Sequence, residues 1–207
     1  MLRKTTLSLL ILLTFTVLSY SQKSFEGKIV FNITTNKTPQ PQKMTYYLKG
    51  KITRMEVSQM PGYMLVKDSI LTIVMPMQKM FMQTNINQNK KVNASPDDFL
   101  RNTKPIETGK TKTILGYKCK EYVVKDSNGT ATVWGTEEFT NFPGFDGSGE
   151  DAFAKALGKS NFFPMIIEAN QNGVQMKMEV TEIKKESLNS NLFKIPEGYK
   201  KVNVPGM

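Results

Sequence analysis

The chain has 207 residues, with 28 Lys and Arg against 18 Asp and Glu, a formal net charge of +10, one Cys and no His. The missing His removes His-based zinc sites, Ser-His-Asp and Cys-His nucleophile pairs and the usual general base near neutral pH, so an enzyme is not expected. A single Cys allows no intramolecular disulfide, and packing must supply the stability.

In chain order, Arg3 and Lys4 precede an apolar run from Leu7 to Leu18 that is interrupted by Ser8, Thr14 and Thr16. These are the charged and apolar regions of a secretory signal, too short for a spanning helix. Small residues at Ser19 and Ser21 place the cut between Ser21 and Gln22. The expected organisation is therefore a cleaved signal over 1–21 and a single β-rich domain over 22–207. No Cys lies at the cut to carry a lipid anchor, so the mature protein is expected to be soluble and periplasmic or secreted. Removing Arg3 and Lys4 leaves 26 basic against 18 acidic residues, a net +8. In an exported protein that charge points to lipid or an anionic envelope surface rather than to nucleic acid, and the competing reading is a solvated charge that keeps the protein soluble. The chain is expected to be a monomer.

From Phe25 the apolar residues alternate, with Phe25, Gly27, Ile29, Phe31 and Ile33 on one face of a strand. Met44–Leu48 and Ile52–Val57 flank Lys49-Gly50-Lys51 as a tight hairpin. Further strands are expected over Tyr63–Val66, Ile70–Met75 and Lys79–Gln83, with a turn at Pro76. Ser95-Pro96-Asp97 starts a short helix. After a linker through Gly109, Tyr117–Val124 and Thr130–Thr136 form a hairpin across Asn128-Gly129. Ser148-Gly149-Glu150-Asp151 caps a second helix that carries Phe153, Ala156 and Leu157 on one face. Strands return over Met165–Ala169 and Val174–Val180, and Leu192–Tyr199 is extended and ends in a turn. About ten short antiparallel strands and two short helices predict a mainly β fold: one curved sheet, because a flat sheet of that size would curl or split, with the helices over its concave face.

Cys119 lies between Lys118 and Lys120 in a strand, so it is expected on the opposite, buried face. Gly109-Lys110-Thr111 lacks the upstream glycine of a phosphate-binding loop. Asp146–Asp151 lacks the alternating oxygen ligands of a calcium loop. Neither a metal nor a cofactor is expected. Methionine is the feature that stands out, at 13 residues. Met75, Met77, Met80 and Met82 flank one turn, and Met176 and Met178 share a strand face. Flexible, polarizable Met suits surfaces that accept varied apolar partners, and the competing reading is plain core filling.

Several segments together resemble an uncharacterised family of exported proteins from Gram-negative bacteria, a domain of unknown function, itself similar in fold to the LolA and LolB kind of periplasmic lipoprotein carrier. They are Phe25-Glu26-Gly27-Lys28-Ile29, Tyr47–Met55, Ile114–Tyr122, Thr132-Val133-Trp134 and Leu192–Tyr199. The resemblance implies an antiparallel half-barrel with helices against its concave side, able to hold a lipid or acyl chain, and it brings no catalytic residues. The expected function is binding of a hydrophobic ligand in that concavity by Met75, Met77, Met80, Met82, Trp134, Phe153, Leu157, Met176 and Met178. The alternative is a structural or interaction module of the cell envelope with a filled core.

Overall fold

The computed structural model describes residues 25–38, 40–85, 105–126, 129–138, 162–171 and 173–203. The expected signal with its cut at Ser21 and Gln22, both expected helices, and Phe153 and Leu157 lie outside these residues.

The described chain is almost entirely strand: β1 (Gly27–Thr35), β2 (Gln42–Lys49), β3 (Ile52–Val57), β4 (Tyr63–Lys67), β5 (Ile70–Met75), β6 (Met80–Asn85), β7 (Ile106–Ile114), β8 (Tyr117–Asp126), β9 (Gly129–Thr136), β10 (Phe163–Gln171), β11 (Val174–Lys185) and β12 (Lys200–Lys201). Among the described residues, helical structure is limited to two 3-10 turns, Pro76–Gln78 and Ser190–Phe193. All twelve strands form one unclosed sheet in the order β12-β6-β5-β4-β3-β2-β1-β11-β10-β9-β8-β7. Every neighbouring pair is antiparallel except β12 with β6, which is parallel.

Turn chemistry fixes the registers. Lys49 pairs with Ile52 across a two-residue turn in which Gly50 takes φ +59°. Asp68 and Ser69, at φ 48° and 63°, turn β4 into β5, and Leu115 and Gly116, at 48° and 86°, turn β7 into β8. Two successive positive φ values match the right-handed twist of the flanking strands. β7 adds a strand where the sequence suggests a linker. Its residues, Ile-Glu-Thr-Gly-Lys-Thr-Lys-Thr-Ile, have no apolar alternation because it is an edge strand exposed along most of its length.

The sheet curls on itself. The main core joins Phe25, Ile29 and Phe31 near the start of the chain to Leu48 in β2, Cys119 in β8, Phe163 and Met165 in β10, and Val180 in β11. β2 and β8 stand five places apart in the sheet order, so their side chains share a cluster through strong curvature. Two bulges supply part of it, one between β1 and β11 at Val30/Phe31 and one between β10 and β9 at Pro164/Ile166. A bulge adds a residue to one strand and increases local twist. Cys119 is fully buried, as its position between two lysines implies, and burial pushes its thiol pKa up.

Candidate functional site

Directly opposed residues in an antiparallel pair point to the same side of a sheet, so the registers carry a face from strand to strand. Phe31 of β1 opposes Met44 of β2, Tyr46 opposes Met55 of β3, Met55 opposes Met64 of β4, and Met64 opposes Ile73 of β5. Ile73 opposes Met82, and Met75 opposes Met80, both in β6. In the other direction Ile33 opposes Met178 and Thr35 opposes Met176 of β11. Eight of the 13 methionines, at 44, 55, 64, 75, 80, 82, 176 and 178, thus share one face of one sheet.

This is the inner face of the curl, because Ile29, Phe31 and Leu48 on it converge with residues from distant strands. Its floor at β1 and β2 is sealed, with Ile29, Phe31 and Leu48 fully buried. From β3 to β6 its methionines, with Val57, Val66, Leu71 and Ile73, are half-buried. Over β2–β6 the face carries no charged residue: Gln42, Tyr46, Thr53 and Thr84 are its polar members. It can therefore hold an apolar body by dispersion and by exclusion of water, and its Met side chains can adjust to different shapes.

The opposite face of the same strands is built differently. Arg54 and Glu56 form a 2.6 Å ion pair on it, and Tyr63, Leu65 and Val74 form a small core there with Phe81, Ile195 and Tyr199. Ile195 and Tyr199 belong to a C-terminal strap tied across that face. Glu26 receives Lys49 Nζ at 2.9 Å and the Leu188 amide at 2.8 Å, and Lys49 also donates to the Leu188 carbonyl at 2.6 Å. These bonds hold the Glu26 carboxyl below its ordinary pKa, with the Lys49 hydrogen bond the largest cause. Arg54 donates to the Leu192 carbonyl at 2.8 Å while its guanidinium lies 3.5 Å from the centre of the Tyr63 ring, and Tyr63 donates to the Lys194 carbonyl at 3.2 Å. The strap ends as β12. Beneath it a cavity of about 330 Å³ is lined by Ile52, Leu65, Ile70, Thr72, Gln83, Phe193 and Ile195, with Lys67 and Asp68 also on its wall.

Of the nine residues expected to line a ligand site, Met75, Met80, Met82, Met176 and Met178 are brought onto the inner face. Met77 is not: it sits in the 3-10 turn between β5 and β6 at 81% exposure. Trp134 pairs with Glu121, on the Cys119 side of β8, and packs against the main core as Met178 does. There Lys112 Nζ stands 4.0 Å from the centre of its ring. Met44, Met55 and Met64 escape a reading of the sequence, since the chain separates them by nine to eleven residues and their union emerges from the registers.

An open, curved antiparallel sheet with an uncharged, methionine-rich inner face defines the class. The chain belongs to the family described as a domain of unknown function, DUF4412, whose model matches residues 25–199. No curated protein matches it. Its fold is similar to that of an uncharacterised conserved protein from Thermus thermophilus, with a TM-score of 0.54 at 8% identity over 87% of this chain and 91% of that one. Two crystal forms of PNGF-II give a TM-score of 0.47, at 16% and 15% identity, over 30% and 32% of their length, and carry no argument.

Proposed function

We propose that the protein is an exported, non-catalytic binder of a lipid or acyl chain, which it holds on the inner face of the sheet. The observation that carries this reading is the convergence of Met44, Met55, Met64, Met75, Met80 and Met82 on an uncharged face of β2–β6, where these methionines are half-buried rather than sealed. A surface meant for plain core filling favours residues with few rotamers, such as Leu, Ile and Val. Met costs more entropy to order and offers adaptability in return. The opposite face of β4–β6, closed by the strap, uses Tyr63, Leu65, Val74 and Phe81 instead.

A second reading, a structural module with a filled interior, draws on the fully buried floor at Ile29, Phe31 and Leu48. Native mass spectrometry and lipid extraction of the protein purified from its own compartment separate the two. The binding reading expects a copurifying apolar molecule, displaceable by a fluorescent fatty acid. Protein free of lipid that also fails to bind the fluorescent fatty acid leaves the filled module.

A further inference from the structure

Over β1–β6 and β12 the two ends of the sheet differ in charge. At the end where β1 finishes and β2 begins lie the turns β1–β2 (residues 36–41), β3–β4 (58–62) and β5–β6 (76–79), and β12 starts there beside Met80. These turns together with Lys43, one residue into β2, and β12 contain Lys37, Lys43, Lys79, Lys200 and Lys201 and no Asp or Glu; the acid nearest β12 in sequence is Glu197. All five lysines are exposed, and Lys37, Lys79, Lys200 and Lys201 form no ion pair with a described carboxylate. The Glu182 carboxyl is held below its ordinary pKa mainly by its hydrogen bond with Lys28, and the charge of nearby Lys43 adds to the effect. At the opposite end charges are mixed: Lys49 with Glu26, Lys67 beside Asp68, and Lys184 with Glu186.

The same basic end carries two exposed methionines, Met60 at 47% and Met77 at 81%. Their turns are neighbours, since a side-chain carbon added at Gly62 would lie 3.5 Å from Pro76 Cδ. Lys79 follows Met77 by two residues, and its carbonyl accepts the Lys200 amide at 2.9 Å, which brings Lys200 and Lys201 to the same corner. Met75 and Met80, which flank the turn that carries Met77, lie on the inner face. Exposed apolar tips beside lysines that pair with no described carboxylate suit an interface of acyl chains and anionic headgroups: the tips enter the acyl boundary and the lysines meet phosphates.

We infer that this end docks on the surface of an anionic phospholipid bilayer, with Met60 and Met77 inserted and Lys79, Lys200 and Lys201 against the headgroups. The inference stands apart from the ligand reading, because docking needs no acyl chain on the inner face and native mass spectrometry reports that occupancy separately. The test is co-flotation of the purified protein with vesicles of phosphatidylcholine alone or with about 30 mol% phosphatidylglycerol. Binding is expected to the anionic vesicles and to be lost at about 0.5 M NaCl, where charge attraction is screened. Each lysine near an anionic surface contributes roughly fivefold in partitioning, so K79E/K200E/K201E is expected to lose tenfold or more. M60S/M77S, at exposed positions, is expected to lose severalfold with unchanged thermal stability. The triple reversal K51E/K67E/K118E at the opposite end, with the same change in net charge, is expected to retain most binding. Equal binding to neutral and anionic vesicles, no binding to either, or equal loss in the two triple variants would overturn the inference.

Discussion

Strands β4, β5 and β6 present two faces that are finished in opposite ways. On one, Tyr63, Leu65 and Val74 are buried beneath Ile195 and Tyr199 of the strap. On the other, Met64, Ile73, Met75, Met80 and Met82 stay half-buried and uncharged. The same backbone thus carries one face sealed by the strap and one whose described side chains stay half-buried. Both carry apolar side chains, and the strap side adds Thr72 and Gln83, which hydrogen-bond at 3.2 Å. The difference lies in residue type, with Tyr, Phe and branched side chains under the strap and Met interleaved with Val66, Leu71 and Ile73 opposite.

The largest effect that would sharpen this contrast comes from one charge placed on either side of β5. Val74 is fully buried and Ile73, its neighbour on the inner face, is half-buried. Val74→Asp strands an unpaired carboxylate under the strap and is expected to cost about 4 kcal/mol in urea denaturation. Ile73→Asp is expected to cost about 1–2 kcal/mol while abolishing binding of a fluorescent fatty acid. Equal destabilisation by the two would mean that both faces are sealed. A smaller effect comes from the strap's central anchor. Arg54→Ala removes the bond to the Leu192 carbonyl, the pair with Glu56 and the stack on Tyr63, and is expected to cost about 1–2 kcal/mol, with proteolysis opening near Leu192 before the rest of the chain.

The smallest effect is a pH dependence at the strap's first anchor. Glu26 has a folded pKa below its ordinary value, so its contribution is fully present above the ordinary carboxylate range and is lost as pH falls through the depressed value. Thermal melts of wild type and Glu26→Gln should differ at neutral pH and converge in acid. A constant gap down to low pH would assign the effect to packing rather than charge.

Much of this sheet is legible in the sequence, for physical reasons that also explain what is not. β1 declares itself through Ile29 and Phe31, which alternate because one face is core, and the β2–β3 hairpin through Gly50, whose positive φ the turn requires. β7 reads as a linker because an exposed edge strand has no buried face to impose alternation; its threonines and the Leu115-Gly116 turn are the available signal. The role of the C-terminal segment is hidden because its ties, such as Tyr63 to the Lys194 carbonyl, span 131 residues. The methionine grouping is half legible: closeness in sequence finds Met75, Met80 and Met82 and sweeps in Met77, which the turn at Pro76 points outward. Only register, which passes from Tyr46 to Met55 to Met64, completes the face.

The proposed function places the apolar chain on the inner face and not at the turns. Methyl NMR of protein labelled with carbon-13 at methionine, titrated with a medium-chain fatty acid below its micelle concentration, tests it residue by residue. Saturable shifts of the Met55, Met64, Met75, Met80 and Met82 methyl signals are expected, with those of Met60 and Met77 unmoved. Unchanged inner-face signals, or shifts confined to Met60 and Met77, would contradict it.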